Sequence, residues 1–86
     1  MKISFHKNFE KQYKKLHLKA KNKFKERKDI FLIDPFDQIL NNHPLHGKYK
    51  GYRSINVTGN IRAVYKLAEN NIAIFVAINT HNNLYN

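Results

Sequence analysis

The apolar residues of this chain change period once, and that change divides the fold. In the first third, Phe5, Phe9, Tyr13 and Leu16 recur at spacings of four, four and three. Such spacing gathers them on one helical face and leaves the lysines the other. From Gly51 onward the interval is two: Ile55 and Val57 alternate with Ser54 and Asn56, and Ile61, Ala63, Tyr65 and Leu67 resume after Thr58-Gly59-Asn60. Helices first and strands second follow from that switch.

The boundaries come from local chemistry. A first helix is expected from about Asn8 to Leu16, with Asn8 as its N-cap. Ala20, Phe24, Ile30, Phe31 and Ile33 form a looser stripe for a second helix that must stop before Pro35, because the residue ahead of a proline is pushed out of the helical region. The intervening His-Leu-Lys stretch suggests a helical hairpin. Thr58-Gly59-Asn60 and Glu69-Asn70-Asn71 supply turns. The run IAIFVAI is apolar on both faces, as a central strand covered on both sides would be. With Lys2–Phe5 as a short opening strand, the order is β-α-α-β-β-β. That predicts an α+β domain whose helical hairpin packs on an antiparallel sheet. The stretch from Asp34 to Lys50 is the longest irregular one, with one short helical turn available in PFDQIL.

Eighty-six residues, 42% of them apolar, form a single domain spanning 1–86, with no repeat or linker to mark a boundary. There is no cysteine, hence no disulfide framework and no thiolate metal site, as suits a reducing cytoplasmic location. The longest purely apolar run, Ile72 to Ile78, has seven residues, against the roughly 20 needed to span a bilayer. The N-terminus carries no apolar signal segment. A membrane protein, a secreted mini-protein and a large multi-site enzyme are excluded.

The charge is large and uneven. Sixteen Lys and Arg against six Asp and Glu give +10, and residues 1–28 hold eleven of the cations against Glu10 and Glu26. Such a surface favours polyanions. Lys11, Lys14, Lys15, Lys21 and Lys25 on the helices, with Lys48, Lys50 and Arg53 beyond, are the candidate cations for contacting such a polyanion.

Two clusters carry reactive groups: His43-Pro44-Leu45-His46-Gly47-Lys48-Tyr49-Lys50-Gly51-Tyr52-Arg53, and Thr80-His81-Asn82-Asn83-Leu84-Tyr85. Between them Arg62 falls on the face opposite Ile61 and Ala63, an unusual place for a cation in mid-strand. Histidine is suited to proton transfer near neutral pH, and arginine holds phosphate with two parallel donors. Together they look like a phosphodiester site. His43 and His46 have no nearby carboxylate except Asp37, so no metal site and no cofactor are expected.

The segment HPLHGKYKGYRSINVTGNIRAVYK, followed by a strand and INTHNNLY, resembles the RelE/ParE superfamily of bacterial toxin-antitoxin toxins, and within it the YafQ-like branch. The shared features are His-Pro-Leu before a glycine, Gly-Tyr-Arg-Ser-Ile, Arg-x-x-Tyr and Thr-His-x-x-Leu-Tyr. The resemblance covers the chain in element order, with the specific motifs confined to about residues 43–85. It implies a ribosome-dependent, metal-independent mRNA endonuclease, active on translated mRNA in the ribosomal A site and neutralised by a cognate antitoxin. By position, His43 matches the family's motif histidine, Arg62 its transition-state arginine, His81 its C-terminal catalytic histidine and Tyr85 its terminal aromatic.

Departures from the pattern keep a second reading open. The YafQ-like branch has a histidine and an aspartate where Asn56 and Asn60 stand here, and an amide transfers no protons. Arg62 instead follows the RelE-like branch, and Asn79 replaces a common glycine. The chain is therefore either a nuclease with a reduced set of groups and weakened activity, or a non-catalytic binder. That binder would be a ParE-like gyrase inhibitor or a degenerate toxin that only holds its antitoxin. In either case the antitoxin should be acidic and partly disordered when free, forming a hetero-oligomer with the toxin.

Overall fold

The computed structural model describes residues 1–85. Strand β1 (Lys2–Phe5) leads into helices α1 (Lys7–Lys14) and α2 (Leu18–Ile33), then β2 (His43–Pro44), β3 (Arg53–Asn56), β4 (Ile61–Ala68), β5 (Ile72–Thr80) and the short helix α3 (His81–Tyr85). The strands lie in the order β1-β5-β4-β3-β2. All pairs are antiparallel except β1 with β5, which is parallel, so the sheet is mixed where a purely antiparallel one was expected.

The helical hairpin buries its apolar stripe on one face of this sheet. Phe9 from α1 and Phe24 and Phe31 from α2 meet Tyr65 and Phe75 from β4 and β5. The Phe75 ring lies 5.3 Å from Tyr65, 5.5 Å from Phe31 and 5.7 Å from Phe24, mostly in tilted or edge-on geometry. Each such ring contributes about 1.5–3 kcal/mol through burial, and favourable aromatic pairing adds to it.

Several expectations shift by a residue or a role. His6, not Asn8, caps α1: its Nδ1 accepts the Asn8 backbone N–H at 3.1 Å. The reason lies in tertiary structure, because the Asn8 side chain donates to the Val76 carbonyl at 3.0 Å while Gln12 Oε1 accepts the Ile78 N–H at 2.9 Å. Since β1 pairs with β5 only as far as Phe75, these two side chains occupy the strand edge beyond it and prevent it from recruiting another strand. The hairpin turn is Lys15–His17 rather than His17–Lys19. Ile33 is 87% exposed, since α2 ends there and Asp34 caps it outside the core. The 34–50 stretch contains one-turn helices at Gln38–Leu40 and Gly47–Tyr49 and the two-residue strand β2. Strand β5 is flanked by β1 and β4, but Ile74 and Val76 remain half-buried on its second face.

Candidate functional site

The face turned away from the helices carries two transverse rows of side chains. Registered pairs place Asn56 beside Arg62 and Arg62 beside Asn79, while His43, Ser54, Val64 and Ala77 align in the next row. Partners directly opposite one another point the same way, and Ile55, Ala63 and Ile78, one residue away, enter the helix-side core. Arg62, His43, Asn56 and Asn79 therefore share the open face. Adjacent rows are roughly 7 Å apart along a strand.

A small second core keeps part of this face covered. Leu84 of α3 packs with Val64, Ala77 and Leu45, and Tyr49, Tyr52 and Tyr85 border them. Through Leu84, α3 is held on the same side as Arg62. Its first residue is tied to the β3–β4 turn, because the His81 backbone N–H donates to the Asn60 carbonyl at 2.9 Å. Asn79 Oδ1 steadies the entry to α3 by accepting the Thr80 N–H at 2.8 Å and the Asn83 amide at 3.1 Å. Asn79 does this without a positive φ.

Arg62 has partners that sequence reasoning did not supply. Its Nη1 donates to the carbonyls of Thr58 at 2.8 Å and Ile61 at 3.2 Å, and Nη2 to that of Gly59 at 3.3 Å. No carboxylate among the described residues pairs with it. Carbonyls orient the guanidinium without cancelling its charge, so the cation retains its full attraction for an anion. The turn itself is organised by Thr58, whose hydroxyl accepts the N–H groups of Asn60 at 3.2 Å and Ile61 at 3.0 Å.

His43 Nδ1 lies 2.7 Å from the Asn41 carbonyl. A carbonyl only accepts, so Nδ1 carries the proton and a neutral ring presents Nε2 as a base. His81 is exposed, with its ring 4.8 Å from that of Tyr85. The Tyr85 ring in turn meets Tyr49 at 6.1 Å, and its hydroxyl is buried without a partner, as are Ser54 Oγ and Asn56 Oδ1. These three unpaired polar atoms belong to the rows or the border of the open face. Burial raises Tyr49 above the usual tyrosine value, and the neighbouring Tyr85 and Tyr52 add to the shift.

The anticipated cations are dispersed. Lys11, Lys14, Lys15 and Lys25 are exposed on or beside the helices, whereas Lys21 lies over the Tyr13 ring. Lys48 lies over Tyr49 on the open-face side and Lys50 is exposed. Arg53 faces the helix side in register with Tyr65; its Nε donates to Asn42 at 2.8 Å and its guanidinium covers Phe36. It is thus engaged within the protein and separated from Arg62 by the sheet. His46 stands exposed outside the rows, and no group of three potential metal-ligating side chains occurs among the described residues. Sequence reasoning missed the carbonyls of the 58–61 turn, the side-chain hydrogen bonds of Asn79 and the helix that Leu84 secures. Thr80-x-x-Asn83, a capping spacing, was the available sign of α3.

Comparison with known proteins bears on the family and the fold. The family model described as bacterial toxin of type II toxin-antitoxin system, YafQ, matches residues 1–86. A search of curated proteins returns no match. Among solved structures, YafQ from Escherichia coli BL21(DE3) is 26% identical with a TM-score of 0.81, covering 98% of this chain and 97% of that one. The chain matched in the E. coli DinJ-YafQ toxin-antitoxin complex is 28% identical with a TM-score of 0.76, over 98% and 96%. A YoeB/ParE toxin from Agrobacterium tumefaciens shares the fold at 20% identity and a TM-score of 0.78, over 94% and 99%.

Proposed function

The chain belongs to the YafQ family of type II toxin-antitoxin toxins, and from that premise we propose that it is a ribosome-dependent endoribonuclease that cuts translated mRNA in the A site. The observation that carries this reading is the meeting of Arg62, Asn56 and Asn79 on one open face with α3, whose first residue is His81, tethered at the same turn. Cleavage by 2′-OH attack forms a bond from that oxygen to phosphorus and breaks the bond to the 5′-oxygen. One proton leaves the 2′-oxygen and one reaches the 5′-oxygen. Histidines at 43 and 81 provide the proton-transfer groups, Arg62 neutralises the crowded phosphate, and Tyr85 supports the His81 ring. The step proceeds without a metal in this scheme.

Lysines on α1 and α2, together with Lys48 and Lys50, would dock ribosomal RNA, leaving the ribosome to position the message. The antitoxin has a complementary surface in a groove whose floor includes Phe5, Phe9, Tyr13 and Phe24 and whose rim carries Lys14, Lys25 and Lys28 against a single acid, Glu10. An acidic amphipathic segment matches that combination, in keeping with the DinJ partner of the E. coli relative. The protein would act in the cytoplasm, where translated message is found.

Asn56 favours one competing reading. It occupies the position beside Arg62 where a titratable side chain would contribute most, and a non-catalytic toxin, gyrase-directed or merely antitoxin-binding, would tolerate an amide there. Induction followed by primer extension on a reporter mRNA separates the two. Codon-phased breaks support the nuclease, whereas supercoiling defects without breaks support the alternative.

A further inference from the structure

On the opposite side of the β3–β4 turn from Arg62 lies a second basic feature. A cleft of about 740 Å³ opens between the start of α2 and the turn, lined by His17, Lys19, Lys23 and Arg27 with no acidic residue in its wall. Arg27 is the innermost cation. Its Nε makes only a long 3.5 Å bond to the Val57 carbonyl, and its Nη1 is buried with no partner. A guanidinium nitrogen buried with its donors unspent is costly unless something accepts from it. The same wall includes Ala20, Val57 and Ile39, so apolar surface lies beside the charge.

We propose that this cleft binds one nucleotide of single-stranded RNA, on the same strand as the scissile phosphate and flanking it. The proposal rests on the RNA-cleaving reading above. Arg27 and Lys23 receive the backbone phosphate, and Lys19 and His17 extend the positive rim. Ile39, 48% exposed and backed by the buried Ala20 and Val57, takes the ribose and an unstacked base. The volume is too large for a phosphate alone and falls within the range of small-molecule sites. A duplex would bring phosphates but no free base to the apolar wall. The turn couples the two regions: Thr58 and Gly59 line the cleft, and their carbonyls hold the Arg62 guanidinium. A strand that crosses the hairpin tip therefore passes from the Arg27 cleft to the Arg62 face.

The test is an NMR titration of the full, isotope-labelled chain with a short 2′-O-methylated single strand, which binds but cannot be cleaved. The expected result is shift changes at His17–Ala20, at Thr58 and Gly59, and at Arg27 Nε. Lys19→Gln combined with Lys23→Gln should weaken binding about tenfold at low salt and reduce the salt slope by about 0.7, the value for one phosphate contact on a single strand. Arg27→Lys, which preserves charge and size, should also weaken binding by removing the forked donors. The proposal is overturned if the cleft stays silent, if only a hairpin RNA or an acidic peptide perturbs it, or if the double variant binds like the parent. Cleavage by the wild type keeps the two claims apart. Cleft shifts in a wild type that cuts no message leave the cleft standing and sink the nuclease. Cleavage by a protein whose double variant binds normally does the reverse.

Discussion

The backbone N–H of His81 donates to the carbonyl of Asn60 at 2.9 Å, fastening the first residue of the terminal helix to the turn that leads into Arg62. Twenty-one positions separate these residues, and the bond extends by one step the β4–β5 ladder in which Ile61 faces Thr80 and Arg62 faces Asn79. The turn also holds the Arg62 guanidinium through its carbonyls. The candidate chemistry thus depends on one small loop.

Removing the cation tests that dependence. Arg62→Ala should leave the circular dichroism spectrum and melting temperature close to those of the parent, because its partners are turn carbonyls near solvent. Cleavage should fall about a hundredfold or more, the loss associated with deleting a preorganised donor to a developing anion. Comparing growth after induction of each form, with purified-protein melts alongside, checks both parts.

Leu84→Ala addresses α3. Leu84 is 2% exposed and secures the helix to Val64 and Ala77, and a buried Leu→Ala change costs about 2–5 kcal/mol where the structure cannot collapse. Since α3 is a terminal element on a satellite core, the loss should be local. Amide exchange should accelerate at 81–85 while Phe75 and its neighbours stay protected, and cleavage should drop although His81 is still present.

Phe75→Ala should behave in the opposite way. The ring packs against Phe9, Phe24, Phe31 and Tyr65, and its removal costs about 3–5 kcal/mol. Whole domains are stable by only about 5–15 kcal/mol. The urea midpoint should fall steeply across the entire protein, with no local exception.

Tyr49 gives a pH signature. Its folded value is raised above 10.0 by burial first, then by Tyr85 and Tyr52. A group whose folded value exceeds its unfolded one contributes stability that is present below the unfolded value and lost as pH rises through the folded one. Stability should therefore decline above pH 10.0, and Tyr49→Phe should flatten that decline. Denaturant midpoints measured across the alkaline range report it.

The change of hydrophobic period made the helical hairpin, the main strands and much of their core readable in the sequence, because Phe9, Phe24 and Tyr65 are placed by spacing, whereas Phe75 lies in a run apolar on both faces and is placed by the sheet register. Alternation likewise put Arg62 on the face away from the helices. Other features depended on tertiary partners. The Asn8 side chain serves β5 rather than the cap of its own helix because the Val76 carbonyl lies within reach. Strand β2 has two residues and α3 five, too few for either period to register. The carbonyls that hold Arg62 were not legible, since side-chain chemistry in sequence gives no hint of carbonyls converging at a turn. Arg53 was read as a free cation for the same reason, although Asn42 and Phe36 engage it.

The central claim is that Arg62 and His81 form one phosphodiester-cleaving site. The most direct measurement is primer extension on a reporter mRNA after induction of the wild type, Arg62→Ala and His81→Gln, each confirmed as folded. Codon-phased breaks with the wild type that disappear in both variants are the predicted result. Breaks of undiminished intensity in both variants, or no breaks with the toxic wild type, would contradict it.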